Sequence, residues 1–182
     1  MTAEKTAMAA EKTAMTAEKT FTFVTDTPLG KIQAAASGCA LQGLWFIGQK
    51  YFPSDTETWI YNPDYPVFIS LKTWLKAYFA RKKPKMENPL SPQGTEFQKA
   101  VWSQLLEIPY GKTCSYGAIA SKLVSSGKKA SAQAVGGAVG HNPISLLIPC
   151  HRVVGADGNL TGYAGGLDKK RALLELEQLK IL

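Results

Sequence analysis

Hydrophobic and polar positions divide the chain into three textures. Residues 1–20 repeat a seven-residue unit, TAEKTAM, AAEKTAM, TAEKT. A heptad invites a coiled-coil reading, but its seam offers only Met and Ala, too little apolar area to hold helices together. The repeat reads as a low-complexity tail, disordered or transiently helical and dispensable. From Phe21 the texture changes. Phe21-Thr-Phe-Val, Lys31-Ile-Gln-Ala and Leu41-Gln-Gly-Leu-Trp-Phe are short, partly alternating runs parted by Thr27-Pro-Leu-Gly and Ser37-Gly-Cys. This pattern predicts a small antiparallel sheet of hairpins. Pro66 to Phe79 then sets Phe68, Leu71, Trp74, Leu75 and Tyr78 at helical spacing, which predicts one helix packed on that sheet. The charged, Pro-rich stretch from Arg81 to Pro92 breaks the period and reads as a linker.

The third texture is mostly helical. Thr95 opens a helix with Gln98 three residues on, a capping-box signature, and Phe97, Val101 and Leu105 form its inner stripe. Ser115 is placed to cap a short helix carrying Ile119 and Leu123. Gly127-Lys-Lys is a turn, and Ser131 to Val139 is another short helix. Two short helices across a tight turn suit a helix-turn-helix or an ordinary helical hairpin. A last helix runs from about Asp168 to Leu182. The expected class is α+β, with a tail (1–20), an N-terminal α/β domain (21–88) and a mostly helical C-terminal domain (89–182).

Composition narrows the function classes. Hydrophobic residues make 45% and charged residues 19%, which suits a globular protein rather than a disordered one. No apolar run approaches the ~20 residues of a bilayer span, and the first twenty residues hold no apolar core of a secretory signal. Three cysteines, Cys39, Cys114 and Cys150, make a poor disulfide framework, and with two histidines they show no metal-ligand spacing. A cytoplasmic protein without metal or cofactor is expected. The net charge of +7 points mildly to a polyanionic partner and is equally explained by solubility.

Chemistry concentrates in Asn142-Pro-Ile-Ser-Leu-Leu-Ile-Pro-Cys-His-Arg-Val-Val-Gly. Cys150 follows an apolar run, as inert core cysteines do. Yet an imidazole and a guanidinium are its next two residues, and a thiol needs a base or positive potential to become a nucleophile. In an extended segment neighbouring side chains point apart, so His151 would reach Cys150 through a water. Such a histidine needs an orienting acid. Glu177 falls on the apolar stripe of the last helix with Leu173, Leu174 and Ile181. A carboxylate there is either buried against a partner or a helix-edge charge paired with Lys170 or Lys180.

The run Ile-Pro-Cys-His-Arg-Val-Val-Gly at 148–155, with Asn142-Pro143 upstream and Gly162-Tyr-Ala-Gly-Gly-Leu downstream, resembles the active-site signature of the O6-alkylguanine-DNA alkyltransferases. The resemblance is close over about 92–179, looser over 21–91, and does not reach the tail. It implies a ribonuclease H-like N-terminal domain and a winged helix-turn-helix-like C-terminal domain. It also implies a monomer that binds duplex DNA through the minor groove and flips an alkylated base. The alkyl group of O6-alkylguanine, and of O4-alkylthymine, would pass once to Cys150, with no cofactor. By the same resemblance His151 deprotonates Cys150 through a water and Glu177 orients His151. Asn142 is the hinge between recognition helix and active-site loop. Tyr116 protonates the leaving guanine, Tyr163 walls the base pocket, and Lys170 lies near it. Arg152 ties loops together, and Val153 offers backbone carbonyls to the guanine edge.

Two positions depart from the family pattern. Gln133 stands where many relatives have an arginine that fills the gap left by the flipped base, on a recognition helix whose Ala132, Ala134 and Gly136 suit either a narrow groove or tight packing. Ala164 stands where some relatives have a serine, so only its backbone N–H can meet the substrate oxygen. A base-flipping binding protein without transfer chemistry would lack the cysteine of this box. A cysteine hydrolase would need an oxyanion hole, which nothing here suggests.

Overall fold

The computed structural model describes residues 19–177; residues 1–18, nearly all of the repeat, and 178–182 lie outside it. Phe21–Thr27 (β1), Gly30–Ser37 (β2) and Ala40–Phe46 (β3) pair as consecutive antiparallel hairpins. Alternation puts Phe23, Ile32, Ala34, Ala36, Leu44 and Phe46 on the buried face. Gly38, at φ +55, takes the left-handed conformation that the second turn requires. The expectation of a purely antiparallel sheet is corrected by Ile60–Tyr61 (β4), which pairs parallel to β1 and makes the order β3-β2-β1-β4. Two residues are too few for a period to register, and a parallel partner needs a crossover that only the folded chain reveals.

Pro66–Phe79 (α1) forms as its spacing predicts, with Pro66 in the first turn and Val67, Phe68, Leu71, Trp74, Leu75 and Tyr78 buried. Phe68 meets Phe23 of the sheet at 4.7 Å between ring centroids. The segment after α1 is not a free linker. The Trp74 indole donates to Pro84 O (3.1 Å), and Leu41 N donates to Pro89 O while Ser91 N donates to Leu41 O. Residues 89–91 therefore cover part of the outer edge of β3. The rest of that edge is met by Leu44 N to Pro143 O and Ser145 N to Leu44 O, both 2.8 Å. A sheet edge left bare would invite pairing with another chain, and here the chain itself satisfies it.

Glu96–Leu106 (α2) starts on the expected capping box of Thr95 and Gln98. Cys114–Ser115 (β5) pairs parallel with Val153–Val154 (β6). Tyr116–Ser125 (α3) and Ala132–Gly140 (α4) are capped by Ser115 and Ser131. Leu167–Leu176 (α5) closes the described chain, and the expected run to Leu182 lies beyond the described residues. One continuous buried cluster joins sheet, α1 and the C-terminal helices.

The end of α4 matters for the site. Its last carbonyls have no helical partner. Gly137 O accepts from His141 N, and Ala138 O accepts from the buried Trp102 indole of α2 at 2.9 Å. Trp102→Phe keeps most of the apolar area but leaves Ala138 O unpaired. It should cost about 1–3 kcal/mol, read as a lower urea midpoint. Thr95→Ala, a more exposed cap, should cost about 1 kcal/mol.

Candidate active site

Residues 150–152 are not extended as the sequence suggested. They form a 3-10 turn, because Pro149 enters with ψ 64 and Arg152 N bonds back to Pro149 O. Cys150 at 4% exposure and His151 at 0% are both buried by it. Asn142 follows the end of α4 and folds the next segment around itself. Its Oδ1 accepts from Ile144 N (3.0 Å), which turns Nδ2 toward Ile148 O (2.8 Å) and Cys150 Sγ (3.1 Å). One amide thus joins helix end, loop carbonyl and sulfur. Burial pushes the Cys150 thiol up, although the Asn142 donor and the charge of Lys170 act to lower it. The resting residue is a thiol, and its proton must be taken on demand.

Glu177 sits directly after α5 and is 2% exposed. Its Oε1 accepts from His151 Nε2 (2.8 Å), Tyr78 Oη (2.8 Å) and Arg152 Nη2 (3.0 Å). Its Oε2 accepts from Arg152 Nε (2.9 Å) and Gly111 N (3.0 Å). Of the two readings of Glu177, the buried, partnered carboxylate is the one observed. Burial acts to raise its carboxyl, but the donors from His151 and Arg152 outweigh it and hold the group well below the usual carboxylate range. A carboxylate can only accept, so Nε2 of His151 carries the proton and Nδ1 keeps a lone pair. Nδ1 is buried without a hydrogen-bond partner among the described residues. Burial lowers the imidazole below its ordinary value against the pull of Glu177, so His151 rests neutral. Arg152 also gives Nη1 to Ile108 O (2.7 Å), the loop-tying contact expected of it.

Cys150 opens into a cavity of about 250 Å³. Tyr116, Tyr163, Ala164, Gly136 and Gly162 line it, as do Val139 and Gly140 of α4. Tyr116 Oη donates to Thr161 O (3.1 Å), and burial raises its pKa, so it is a neutral phenol. Lys170, fully buried, donates to Thr161 O (2.6 Å) and Gly162 O (3.1 Å), and burial lowers it to about 8. It holds the loop of Tyr163 and Ala164 from behind and does not line the cavity. Gly162, at φ +43 and facing Tyr116 Oη, has a conformation in which a side chain would be strained.

One expectation needs correction. Val153 is not at the cavity: it is 0% exposed and paired with Cys114 across β5 and β6. Gly136 faces the Tyr116 ring and lines the cavity, whereas Ala132, Gln133 and Ala134 are exposed on the first turn of α4. Three contributors went unread in the sequence because they lie far from the motif. Lys50 and Tyr51 follow β3 and form one wall. Lys50 N donates to Ala164 O (3.0 Å), and Tyr51, at φ +60, stacks on His141 at 3.8 Å. Tyr78 read only as a stripe residue of α1. No helix among the described residues is long and apolar enough to cross a membrane.

The buried cysteine, its neutral histidine and the ionised glutamate make a nucleophile with a base, beside a helix pair whose second member presents an exposed first turn. Models of the 6-O-methylguanine DNA methyltransferase family match both halves of the chain: the ribonuclease-like domain over residues 21–92 and the DNA binding domain over 96–179. The chain belongs to that family. It is 47% identical over 153 residues to the methylated-DNA–protein-cysteine methyltransferase of Mycobacterium tuberculosis strain H37Rv, covering 84% of this chain and 89% of that one. The namesake from Methanosarcina barkeri is 44% identical over 155 residues, covering 85% and 95%. The crystal structure of Mycobacterium tuberculosis OGT in complex with DNA superposes with a TM-score of 0.80 at 45% identity, over 87% of this chain and 93% of that one.

Removing the charge of Glu177 leaves the partly buried Arg152 beside a neutral amide. Glu177→Gln should cost about 3–5 kcal/mol at neutral pH. The folded state keeps Glu177 ionised below the range where the unfolded chain takes up its proton. Its contribution is therefore present above the ordinary carboxylate pKa and lost as the pH falls through and below it. Denaturation midpoints at neutral pH and at about pH 3 should differ less for Glu177→Gln than for the parent.

Proposed function

We propose that this chain repairs alkylated duplex DNA by moving the alkyl group from O6 of guanine, or O4 of thymine, onto Cys150, once per molecule. The observation that carries the reading is Cys150 lining a cavity, with the buried, hydrogen-bonded pair of His151 and Glu177 next to it. His151 takes the thiol proton at Nδ1 through a bridging water, with Glu177 stabilising the imidazolium that forms. The sulfur attacks the alkyl carbon, the carbon–oxygen bond breaks, and Tyr116 protonates the leaving guanine so that it departs neutral. A thioether has no route back to thiol, so each chain reacts once.

A base inside a duplex cannot reach this cavity without leaving the stack. The exposed first turn of α4 is the element for this step. Ala132 and Ala134 let it approach a narrow minor groove, and Gln133 enters the space of the extruded base without the charge of an arginine. Tyr163 and Ala164 then face the base, and Asn142 keeps sulfur and helix in register. Lys170 holds the carbonyls of Thr161 and Gly162 that shape this wall. The reading needs neither cofactor nor metal, takes the protein to act as a monomer, and puts it in the cytoplasm beside the chromosome.

Intact-mass measurement after incubation with excess methylated duplex should show one methyl group per chain, on Cys150. Sustained turnover would refute the stoichiometric mechanism, and Cys150→Ser should abolish transfer while retaining duplex affinity. Gln133→Gly should slow reaction with alkylated duplex by an order of magnitude or more, while free O6-alkylguanine base, which needs no extrusion, reacts at the parent rate. Equal slowing with both substrates would make Gln133 a packing residue.

A further inference from the structure

Tyr78 belongs to α1, in the N-terminal half, and lies 73 positions before His151 in the sequence. It is nonetheless 1% exposed and ends inside the catalytic hydrogen-bond chain. Its ring is stacked on Trp74 at 4.9 Å and meets Tyr110 edge-on at 6.1 Å, so it has no freedom to swing away. Its Oη donates to Glu177 Oε1 at 2.8 Å, the same oxygen that accepts from His151 Nε2, and lies 3.4 Å from that nitrogen.

That geometry has a chemical consequence. A donor to Oε1 draws negative charge away from the side of the carboxylate that faces the imidazole. Less charge there means weaker attraction for a proton on His151. The groups facing His151 are Lys170 from α5 and Glu177 directly after it, Arg152 and Cys150 from its own turn, and Tyr78 from α1. Arg152 and Lys170 disfavour the imidazolium, Glu177 favours it, and Tyr78 moderates Glu177 without carrying a charge. Burial and the neighbouring carboxylate push the phenol far above its ordinary range, so it remains a donor at every working pH.

We infer that Tyr78 is a positioning residue for the transfer reaction, acting through Glu177 to hold His151 in its neutral, Nε2-protonated form. This rests on the functional reading above and gives the N-terminal half a direct part in the chemistry. Tyr78→Phe keeps the ring and removes only the donor. With Glu177 less neutralised, His151 should hold its proton to higher pH. Single-turnover transfer from free O6-benzylguanine should be several-fold slower near neutral pH. The acid limb of its pH–rate profile should move to higher pH, and the rate should return to the parent plateau in alkaline buffer. Replacing Tyr78 by 3-fluorotyrosine, a stronger donor of nearly the same shape, should move the limb the opposite way. A uniformly lower rate with an unmoved limb would reduce Tyr78 to packing, and an unchanged profile would remove it from the mechanism. ¹⁵N NMR titration of His151 reads the same shift without activity. If the parent protein transfers nothing to Cys150, the functional reading fails, and an unmoved His151 titration in Tyr78→Phe would separately overturn the coupling.

Discussion

A single buried carboxylate organises this molecule. Glu177 receives five hydrogen bonds from three separate places: α1 through Tyr78, the turn before β5 through Gly111, and the active-site turn through His151 and Arg152. A charge buried without such partners would be untenable, so the elements that carry the donors must converge. Convergence fixes the end of α5, sets the tautomer of His151 and holds the 3-10 turn that presents Cys150. The same ionised group that sets the His151 tautomer also ties the two halves together through Tyr78.

The outer edge of β3 is the second constraint. It is satisfied at one end by residues 89–91 and at the other by Pro143 and Ser145 of the active-site segment. Asn142 lies between this edge and the sulfur, bonded to both sides of its own loop. One amide therefore connects the end of α4 to Cys150, with the edge of the sheet packed behind it. Lys50 and Tyr51, in the turn a few residues after β3, also line the cavity.

The two departures from the family pattern fall on different steps. Gln133 is exposed on the first turn of α4, so in the proposed reaction it bears on how a base is brought out of the duplex. Ala164 lines the cavity, and its carbonyl is engaged by Lys50 N, so in the proposed reaction it bears on which alkyl group fits. Neither touches the hydrogen-bond chain from Tyr78 to His151, so the proposed activation of the nucleophile is independent of both.

Local rules fixed much of this protein in advance. Helical spacing placed α1 to the residue. The side chains of Thr95, Ser115 and Ser131 marked three helix starts, because a cap acts within one turn of chain. The Pro-Cys-His-Arg box with Asn142 and Tyr163 carried the family, because that chemistry needs those residue types close together. Glu177 was legible only as one of two readings, since spacing puts a carboxylate on a stripe but does not say what it meets. The parallel strand β4, the burial of Val153 in a strand pair, and the wall of Lys50 and Tyr51 were not legible at all. Nor was Tyr78, which looks like any aromatic on the buried face of a helix until the fold brings its hydroxyl to Glu177. These are contacts between residues far apart in sequence, created by packing the helices against the sheet. No period or cap encodes them, and only the tertiary structure decides them.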